Sequence, residues 1–207
     1  VLKWAMSMDG RIGLKNGNSK WITDDYSRSV VHSLRADFDA IIVGGNTLRK
    51  DNPLLTTRGK KSPEPLRVVF TRTLNLPWER NLWNCEIAKT LVVYDESSAN
   101  EKCLENLPNC VELEKVPSDN PKLLSQLLAE RGLNKILWEC GPNLATSAIK
   151  NGCIQETIAF IAPKILGGDS SMTPFADFNF EDMNEVKILN KGSLQMLNSD
   201  FLIKNYL

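Results

Sequence analysis

The chain has 207 residues, of which 42 % are hydrophobic and 24 % charged, enough to build one domain with an ordinary buried core. Lysine plus arginine and aspartate plus glutamate both total 25. This balance excludes a broad basic face, which argues against nucleic acid or an anionic membrane as the main partner. No apolar run approaches the ~20 residues of a membrane span, and the N-terminus has no signal-peptide pattern. Because Val1 already lies in a strand pattern, we expect the full protein to have residues upstream.

The cysteines are odd in number, scattered and without a Cys-x-x-Cys pair: Cys85, Cys103, Cys110, Cys140 and Cys153. This pattern favours reduced thiols and predicts a cytoplasmic location. His32 is the one histidine of the sequence, so no metal site is expected. The His-x-Glu and Pro-Cys-x-x-Cys signature of zinc deaminases is absent from the sequence.

Apolar periodicity and turn residues predict strands at 2–7, 40–43, 67–70, 90–94, 111–116, 135–139, 155–162, 186–189, 193–197 and 200–207. Helices are predicted over 24–38, 121–131 and 143–150, the first capped by Thr23 or Asp24 and the second by Asn120. Strands and helices alternate first, and strands alone close the chain. This order predicts an α/β fold with a mostly parallel central sheet, antiparallel C-terminal strands and flanking helices, in a single domain over residues 1–207.

The first group of candidate functional residues follows the opening strand, where a polar glycine loop leads into the first helix. Ser19 lies in that loop, Trp21 precedes the helix, and Arg35 lies near the helix end. A hydroxyl and a guanidinium suit a ligand phosphate or hydroxyl. In the alternative interpretation, Trp21 belongs to the core and Arg35 is a solvated helix end.

The second group follows the strand 40–43, which ends in Gly44-Gly45 at the edge where open α/β sheets bind ligands. Thr47 suits a phosphate or a ribose, and Arg58 suits a second anion. The alternative is a tight strand–loop connection with a charged surface. Because the Gly-x-Gly-x-x-Gly spacing is missing, a standard Rossmann site is not indicated.

The third group begins with Glu139, which ends the strand 135–139 and is followed by Gly141-Pro142 and a helix. A helix N-terminus with small residues suits a pyrophosphate, and Glu139 would face the same crevice. The alternative is a surface charge beside a bend. Cys140 has no histidine near it in sequence and is expected to be a packed thiol, and His32 is expected to be a surface or packing residue.

The three groups occur in an order that resembles one family, the reductase domain of the bifunctional riboflavin-biosynthesis deaminase/reductase, which has a dihydrofolate-reductase-like fold. The resemblance covers nearly the whole chain and is weaker over residues 59–134. It is carried by Lys3-x-Ala5-x-Ser7-x-Asp9-Gly10-Arg11, Ser19-x-Trp21-Ile22-Thr23, Val31-His32-x-Leu34-Arg35-Ala36, Asp51-x-Pro53-x-Leu55-Thr56-x-Arg58 and Glu139-x-Gly141-Pro142-x-Leu144-Ala145.

The resemblance implies an NADPH-dependent reductase that acts on 5-amino-6-(5-phosphoribosylamino)uracil. The ribosyl ring opens, hydride passes to C1′, and the ribitylamino product forms. The implied partners are this phosphorylated pyrimidine, a deaminase domain or protein, and a second copy of the chain in a homodimer. Two alternatives stay open: a reductase of the same fold that acts on a pterin or folate, and a nucleotide-binding module without catalysis.

By position, the resemblance also implies roles for individual residues. The catalytic candidates are Glu139, Lys3 and Asp9. The substrate contacts are Ser19, Arg35, Leu55, Arg58 and Glu139. The cofactor contacts are Ala5, Trp21, Thr47, Asp51, Arg72, Gly141, Pro142, Asn143, Leu144, Ala145, Thr146 and Ser147. Cys140 departs from the family pattern, because many relatives have glycine there.

Overall fold

The computed structural model describes residues 1–168 and 172–207. Within them the strands are β1 (Leu2–Ser7), β2 (Ala40–Gly44), β3 (Leu66–Thr71), β4 (Thr90–Asp95), β5 (Glu112–Val116), β6 (Ile136–Trp138), β7 (Glu156–Ala162), β8 (Asn190–Leu197) and β9 (Asp200–Tyr206). The α-helices are α1 (Asp25–Ala36), α2 (Gly45–Asp51), α3 (Pro121–Glu130) and α4 (Pro142–Lys150). The chain divides into two compact units, one formed by residues 1–31 and 142–207 and the other by residues 32–141.

The unit formed by residues 32–141 is built on parallel strands in the order β5-β4-β3-β2-β6. The apolar run Ala40-Ile41-Ile42-Val43 explains the central place of β2, because a strand buried on both faces needs continuous rather than alternating apolar residues. All four of these residues are 0 % exposed. The parallel register brings the carboxyl ends of these strands to one edge, where β2 leads into α2 and β6 leads into Glu139.

The unit formed by residues 1–31 and 142–207 has the strand order β1-β7-β9-β8. β1 pairs with β7 in parallel, and β7, β9 and β8 then follow antiparallel to one another. β8 lies at the edge, and its residues are exposed except for Leu197. The predicted α/β class, with mostly parallel strands and antiparallel strands at the C-terminus, is therefore confirmed, and the single domain over 1–207 stays a prediction.

The helix starts follow local sequence signals. Asp24 Oδ1 accepts a hydrogen bond from the Ser27 amide at 2.7 Å and so caps α1, and Asn120 caps α3 in the same way at 2.9 Å from the Lys122 amide. A side-chain oxygen at this position satisfies an amide that has no partner inside the helix. The predicted helices at 24–38 and 121–131 are confirmed, with slightly shorter ends.

Two details of local structure differ from the sequence analysis. No helix is predicted over 45–51, and the segment forms α2, which is too short to show helical periodicity and has no side-chain cap at Gly44. The strand predicted at 186–189 is absent. The strand predicted at 193–197 is present as β8 and begins three residues earlier, at Asn190. Residues 186–189 lack the backbone pairing that the apolar pattern alone suggested.

The expectation that all cysteines are reduced is also wrong, because Cys85 and Cys110 form a disulfide with their Cα atoms 6.2 Å apart. The segment around Cys85 wraps a fully buried arginine, Arg67, whose Nη2 donates to the carbonyls of Leu82, Asn84 and Ala88 at 2.9, 2.9 and 2.6 Å. Burial lowers the pKa of Arg67 to about 10. A separation of 25 residues carries no spacing signal for the pair.

Among the described residues, no helix has the length and apolar character needed to cross a membrane.

Candidate functional site

Arg35 and Glu139 form a two-point ion pair in the unit formed by residues 32–141. Nε of Arg35 donates to Oε1 of Glu139 at 2.6 Å, and Nη2 donates to Oε2 at 3.1 Å. Their side chains are 12 % and 10 % exposed. Arg35 lies in the last turn of α1, and Glu139 follows β6 directly, its amide donating to the Ile42 carbonyl at 2.9 Å. The sheet therefore fixes the carboxylate, and the carboxylate fixes the guanidinium.

The electrostatics of this pair favour the charged form of both partners. Burial by itself lowers the pKa of Arg35, but the charge and hydrogen bonds of Glu139 outweigh it and raise the pKa above its usual value. Both oxygens of the Glu139 carboxylate accept from the guanidinium, and each can accept more than one hydrogen bond. The predicted substrate contact and catalytic role of Glu139 therefore stay predictions.

The main-chain carbonyl of Thr56 joins the pair to a loop. It accepts a hydrogen bond from Nη1 of Arg35 at 3.0 Å and lies 3.0 Å from Nδ1 of His32. Since a carbonyl can only accept, the shorter contact places the proton on Nδ1, and Nη1 of Arg35, 3.3 Å from Nδ1, then donates to the carbonyl and not to the ring. Burial lowers the pKa of His32, and the positive charges of Arg35 and Arg58 lower it further. His32 is therefore a neutral donor at neutral pH.

The loop that contains Thr56 has an unusual backbone. Leu55 and Arg58, neither of them glycine, have φ values of 53° and 54°. Thr57 between them is held by Glu64, which accepts from the Thr57 amide at 2.7 Å and from its hydroxyl at 2.8 Å. Left-handed non-glycine residues are costly and persist where surrounding contacts determine them, often at functional sites. This loop is the candidate site's most strongly constrained segment.

Arg35 and Arg58 differ in what they can offer an anion. The guanidinium of Arg35 is occupied by Glu139 and Thr56, so the structure does not support the prediction that it holds a phosphate. Arg58 is exposed, and no hydrogen bond or ion pair of its side chain is found within 1–168 and 172–207. Of these two predicted anion contacts, Arg58 is the cation available to a ligand, and Leu55 beside it is buried, at 3 % exposed.

Four predicted cofactor contacts lie in the same unit: Thr47, Asp51, Arg72 and Gly141. A Cβ on Gly141 would lie 3.5 Å from Oγ1 of Thr47, so any larger side chain would fill the space beside that hydroxyl. Thr47 and Asp51 both lie on α2, with Asp51 exposed at its end, and Arg72 is exposed directly after β3. The glycine and the hydroxyl fit a ligand that comes close to the backbone.

Asp9 has a structural role that the sequence did not suggest. Its carboxylate accepts from the Ser7 hydroxyl at 2.6 Å and from the amides of Leu166 and Gly167 at 3.1 and 2.7 Å. These bonds, that of Ser7 first, lower the pKa of Asp9 to about 2. A carboxyl group with this pKa has no proton to give at neutral pH, so the structure does not support Asp9 as a proton donor.

The remaining predicted site residues near the N-terminus belong to the unit formed by residues 1–31 and 142–207. Lys3 and Ala5 lie on β1, with Nζ of Lys3 5.6 Å from the ring centre of Phe160. Ser19 is half-buried in its loop. Trp21 is 62 % exposed rather than part of the core, and the guanidinium of Arg28 lies 4.4 Å from its ring centre.

The residues at the start of α4 that are predicted to contact a cofactor differ in burial. Ala145 and Thr146 are 2 % and 5 % exposed. The Thr146 hydroxyl exchanges hydrogen bonds with the Ala176 backbone, accepting at 2.9 Å and donating at 3.3 Å. The side chains of these two residues are therefore packed, and their cofactor contact stays a prediction. Pro142, Asn143, Leu144 and Ser147 are half-buried or exposed and stay predictions.

Two residues outside the predicted set matter for the site, Thr56 and Glu64. Glu64 fell in a segment whose charges and proline resemble any surface loop, and Thr56 contributes only a carbonyl, which a sequence cannot mark. Burial raises the pKa of Cys140 to about 12, which agrees with a packed thiol rather than a nucleophile. Within the described residues, no group of three or more His, Cys, Asp or Glu is placed to hold a metal ion.

Comparison with known proteins gives one consistent result. The model of the RibD C-terminal domain matches residues 1–198. The riboflavin biosynthesis protein RibD of Synechocystis is 39 % identical over 208 residues, covering 100 % of this chain and 56 % of its own length. PYRR of Arabidopsis thaliana, a chloroplastic riboflavin biosynthesis protein, is 38 % identical over 209 residues and is covered over 35 % of its length.

Solved structures agree with these matches. A Thermotoga maritima diaminohydroxyphosphoribosylaminopyrimidine deaminase/5-amino-6-(5-phosphoribosylamino)uracil reductase aligns with a TM-score of 0.84 and 27 % identity, over 99 % of this chain and 55 % of that chain. The riboflavin biosynthesis reductase Rib7 of Saccharomyces cerevisiae shares the fold, with a TM-score of 0.73 at 20 % identity, over 99 % of this chain and 87 % of its own. The chain thus spans about half the length of the RibD relatives that it matches.

Proposed function

Because this chain belongs to the RibD C-terminal domain family, we propose that it is an NADPH-dependent reductase of 5-amino-6-(5-phosphoribosylamino)uracil in riboflavin biosynthesis. The reaction is the one in the name of the Thermotoga maritima relative. It reduces the opened ribosyl group at C1′ and leaves a 5-phosphoribitylamino product.

The observation that carries this proposal is the arrangement around Glu139. A carboxylate that only accepts hydrogen bonds is held rigidly by Arg35, and an available guanidinium, Arg58, follows the loop that Arg35 also holds. A sugar phosphate has hydroxyl donors and a dianionic end, and these two groups are complementary to them. The same arrangement gives no reason to bind an uncharged pterin tail.

The residues of the chain bind and orient in this proposal. Glu139 accepts from a hydroxyl or ring N–H of the substrate, and Arg58 binds its phosphate. Thr47 and the backbone at Gly141 hold the dinucleotide, for which the space beside Thr47 is suited. NADPH, when bound, supplies the hydride. Of the three catalytic candidates, Lys3 is the one whose side chain is a hydrogen-bond donor, and we assign proton transfer to it.

Turnover of the nicotinamide tests the proposal. Purified protein should oxidise NADPH when 5-amino-6-(5-phosphoribosylamino)uracil is present, and neither dihydrofolate nor a pterin should replace it. The same assay with NADH tests the choice of cofactor. Oxidation with dihydrofolate alone would favour the pterin alternative, and tight NADPH binding without turnover on any of these compounds would favour a non-catalytic module.

Two variants separate the roles of Arg58 and Lys3. Arg58→Ala should raise KM for the substrate at least tenfold with little change in KM for NADPH, because one charge-assisted contact to phosphate is lost. Lys3→Met should instead lower kcat with little effect on either KM. An Arg58→Ala enzyme with unchanged KM for the substrate would contradict the assignment of the phosphate to this residue.

The partners are proposals as well. A deaminase domain or protein is proposed because the relatives are about twice as long as the matched region and one of them is named a deaminase/reductase. A homodimer is proposed on β8, an edge strand on which Leu194 and Met196 are 68 % and 67 % exposed. The cytoplasmic location stays a prediction.

A further inference from the structure

His32 and Arg35 hold the same carbonyl from one helix. They are three residues apart on α1, a spacing that places side chains on one helix face. Both approach the carbonyl oxygen of Thr56 to 3.0 Å. Arg35 is shared with Glu139, whereas in the described part of the chain the protonated Nδ1 of His32 donates to Thr56. The 3.3 Å contact of Nδ1 with Nη1 of Arg35 joins two donors and is not a hydrogen bond in this tautomer. His32 therefore has one identifiable task, which is to bind this loop to α1.

The backbone of the loop depends on such support. Leu55 and Arg58 are both left-handed, at φ 53° and 54°, on either side of Thr56 and Thr57. A non-glycine residue in this conformation is strained and is held there by its surroundings. Thr57 is held by Glu64, and Thr56 is held by α1. If the contact from His32 is lost, one of the restraints that fix the conformation is lost with it.

Arg58 is the residue whose position this conformation decides. Its side chain makes no hydrogen bond or ion pair in the described ranges, so the backbone of residues 55–58 determines where the side chain starts and which region its guanidinium can reach. A guanidinium binds a phosphate through directional N–H donors, and a small displacement weakens both bonds. The position of Arg58 is thus set from Thr56, two residues away.

We propose that His32 is a positioning residue that fixes Arg58 for the anionic end of the substrate, through a hydrogen bond from Nδ1 to the carbonyl of Thr56. The inference rests on the proposed function only for the identity of that anion. His32 makes no contact with substrate in this assignment. Its donor must lie where Nδ1 lies, because Nε2 is at the opposite side of the ring.

Two amide substitutions test this requirement. His32→Asn places an amide N–H near the position of Nδ1, whereas His32→Gln carries its amide one bond further, near Nε2. Both are polar and similar in size, so a difference between them reports the position of the donor rather than the loss of a ring. Ser33→Ala is the matched control: Ser33 is the neighbour of His32 on α1, and its hydroxyl accepts a hydrogen bond from Nζ of Lys60.

Steady-state kinetics with the phosphorylated substrate should separate the variants. His32→Gln should raise KM for the substrate about fivefold to tenfold, the range that corresponds to one net hydrogen bond. Its kcat and its KM for NADPH should stay within about twofold of the parent, because only binding common to ground and transition states is lost. His32→Asn should recover most of the loss, and Ser33→Ala should match the parent. Equal KM values for Asn and Gln would overturn the proposal.

Hydrogen exchange supplies a measurement that does not depend on turnover. The amides of residues 56–58 should exchange faster in His32→Gln than in the parent or His32→Asn, with the strands unchanged. If the parent does not oxidise NADPH, the proposed function fails and the exchange result still decides the role of His32. Unchanged exchange at residues 56–58 in both variants would show that Thr56 does not need His32.

Discussion

Arg35 illustrates how a residue can be found correctly and still be given an incomplete role. Its place in a helix beside a glycine loop marked it as an anion contact, and the structure instead pairs it with Glu139, 104 residues away. A planar guanidinium binding both oxygens of one carboxylate forms a directional unit, which a lysine could not replace. In the proposed function the ligand charge is therefore assigned to Arg58, while Arg35 holds Glu139.

Removal of the carboxylate tests this pairing. Glu139→Ala leaves a guanidinium that is 12 % exposed without its counter-ion, and breaking such a pair costs about 3–5 kcal/mol of unfolding free energy. Urea denaturation measures the loss. The double variant Arg35→Met with Glu139→Leu should recover a large part of it, because no unpaired charge remains. A double variant as unstable as the sum of the single changes would show that the two residues act independently.

The pH dependence of stability depends on His32. Burial, aided by the charges of Arg35 and Arg58, lowers the pKa of this residue in the folded state below its usual 6.5. The unfolded chain therefore binds a proton first as the pH falls. We expect the unfolding free energy to decrease as the pH falls below about 6.5, until the lower native pKa is reached. Denaturant midpoints across this range should show a shallower slope for His32→Asn than for the parent protein.

At the scale of elements, Asp24 at the start of α1 caps the helix and also binds residues near the C-terminus. Oδ1 of Asp24 accepts from the Ser27 amide, while Oδ2 accepts from Asn198 at 2.9 Å and from Ser199 at 3.1 Å. These bonds, that of the Ser27 amide first, lower the pKa of Asp24 well below its usual range. One side chain thus joins the helix start to the turn between β8 and β9.

Substitution at this position should separate the cap from the charge. Asp24→Ala should reduce the unfolding free energy by about 1–2 kcal/mol, the usual effect of losing a capping oxygen. Asp24→Asn keeps the oxygen that accepts from Ser27, so its loss should be smaller. Thermal and urea unfolding of both variants measure the difference, and equal losses would show that the charge rather than the cap supports this helix.

At the scale of the whole molecule, β8 is the surface that needs explanation. Seven of its residues, 190–196, are exposed. Large exposed apolar side chains on an edge strand are typical of association surfaces, and unprotected edges otherwise invite aggregation. Leu194 and Met196 point to one face of the strand and Gln195 to the other. A second copy of the chain would cover the apolar face.

Charge placed on each face tests the proposed homodimer. Sedimentation velocity of the parent should give twice the mass of one chain, and Leu194→Lys combined with Met196→Lys should give a monomer, because a lysine loses its hydration in an apolar interface. Gln195→Lys, on the opposite face, should remain a dimer. A parent that sediments as a monomer would contradict the assignment of this face to a second copy.

Much of the fold could be predicted because its signals are local. The apolar runs of β2 and β4, the caps at Asp24 and Asn120, and the strands that close the chain all lie within a few residues of what determines them. α2 was missed because seven residues give no clear periodicity. Residues 186–189 were placed in a strand because an apolar pattern does not report whether a partner strand is present.

In the candidate site, too, local motifs could be recognised from the sequence, and contacts between distant segments could not. Glu139, Arg58 and Leu55 could be proposed as site residues because they belong to motifs of ordered residue types. The ion pair of Arg35, the binding of Thr57 by Glu64 and the disulfide of Cys85 with Cys110 could not be found, since each joins groups through geometry rather than through sequence spacing.

By itself, the sequence determined the family, the α/β class and the residue types available for chemistry, because backbone propensity, apolar pattern and motif order are properties of neighbouring residues. Only the tertiary structure decided which charges neutralise one another, which carbonyl a helix holds and which cation is left for a ligand. Those outcomes depend on distances of about 3 Å between atoms from distant segments, at which hydrogen bonds and ion pairs form or fail.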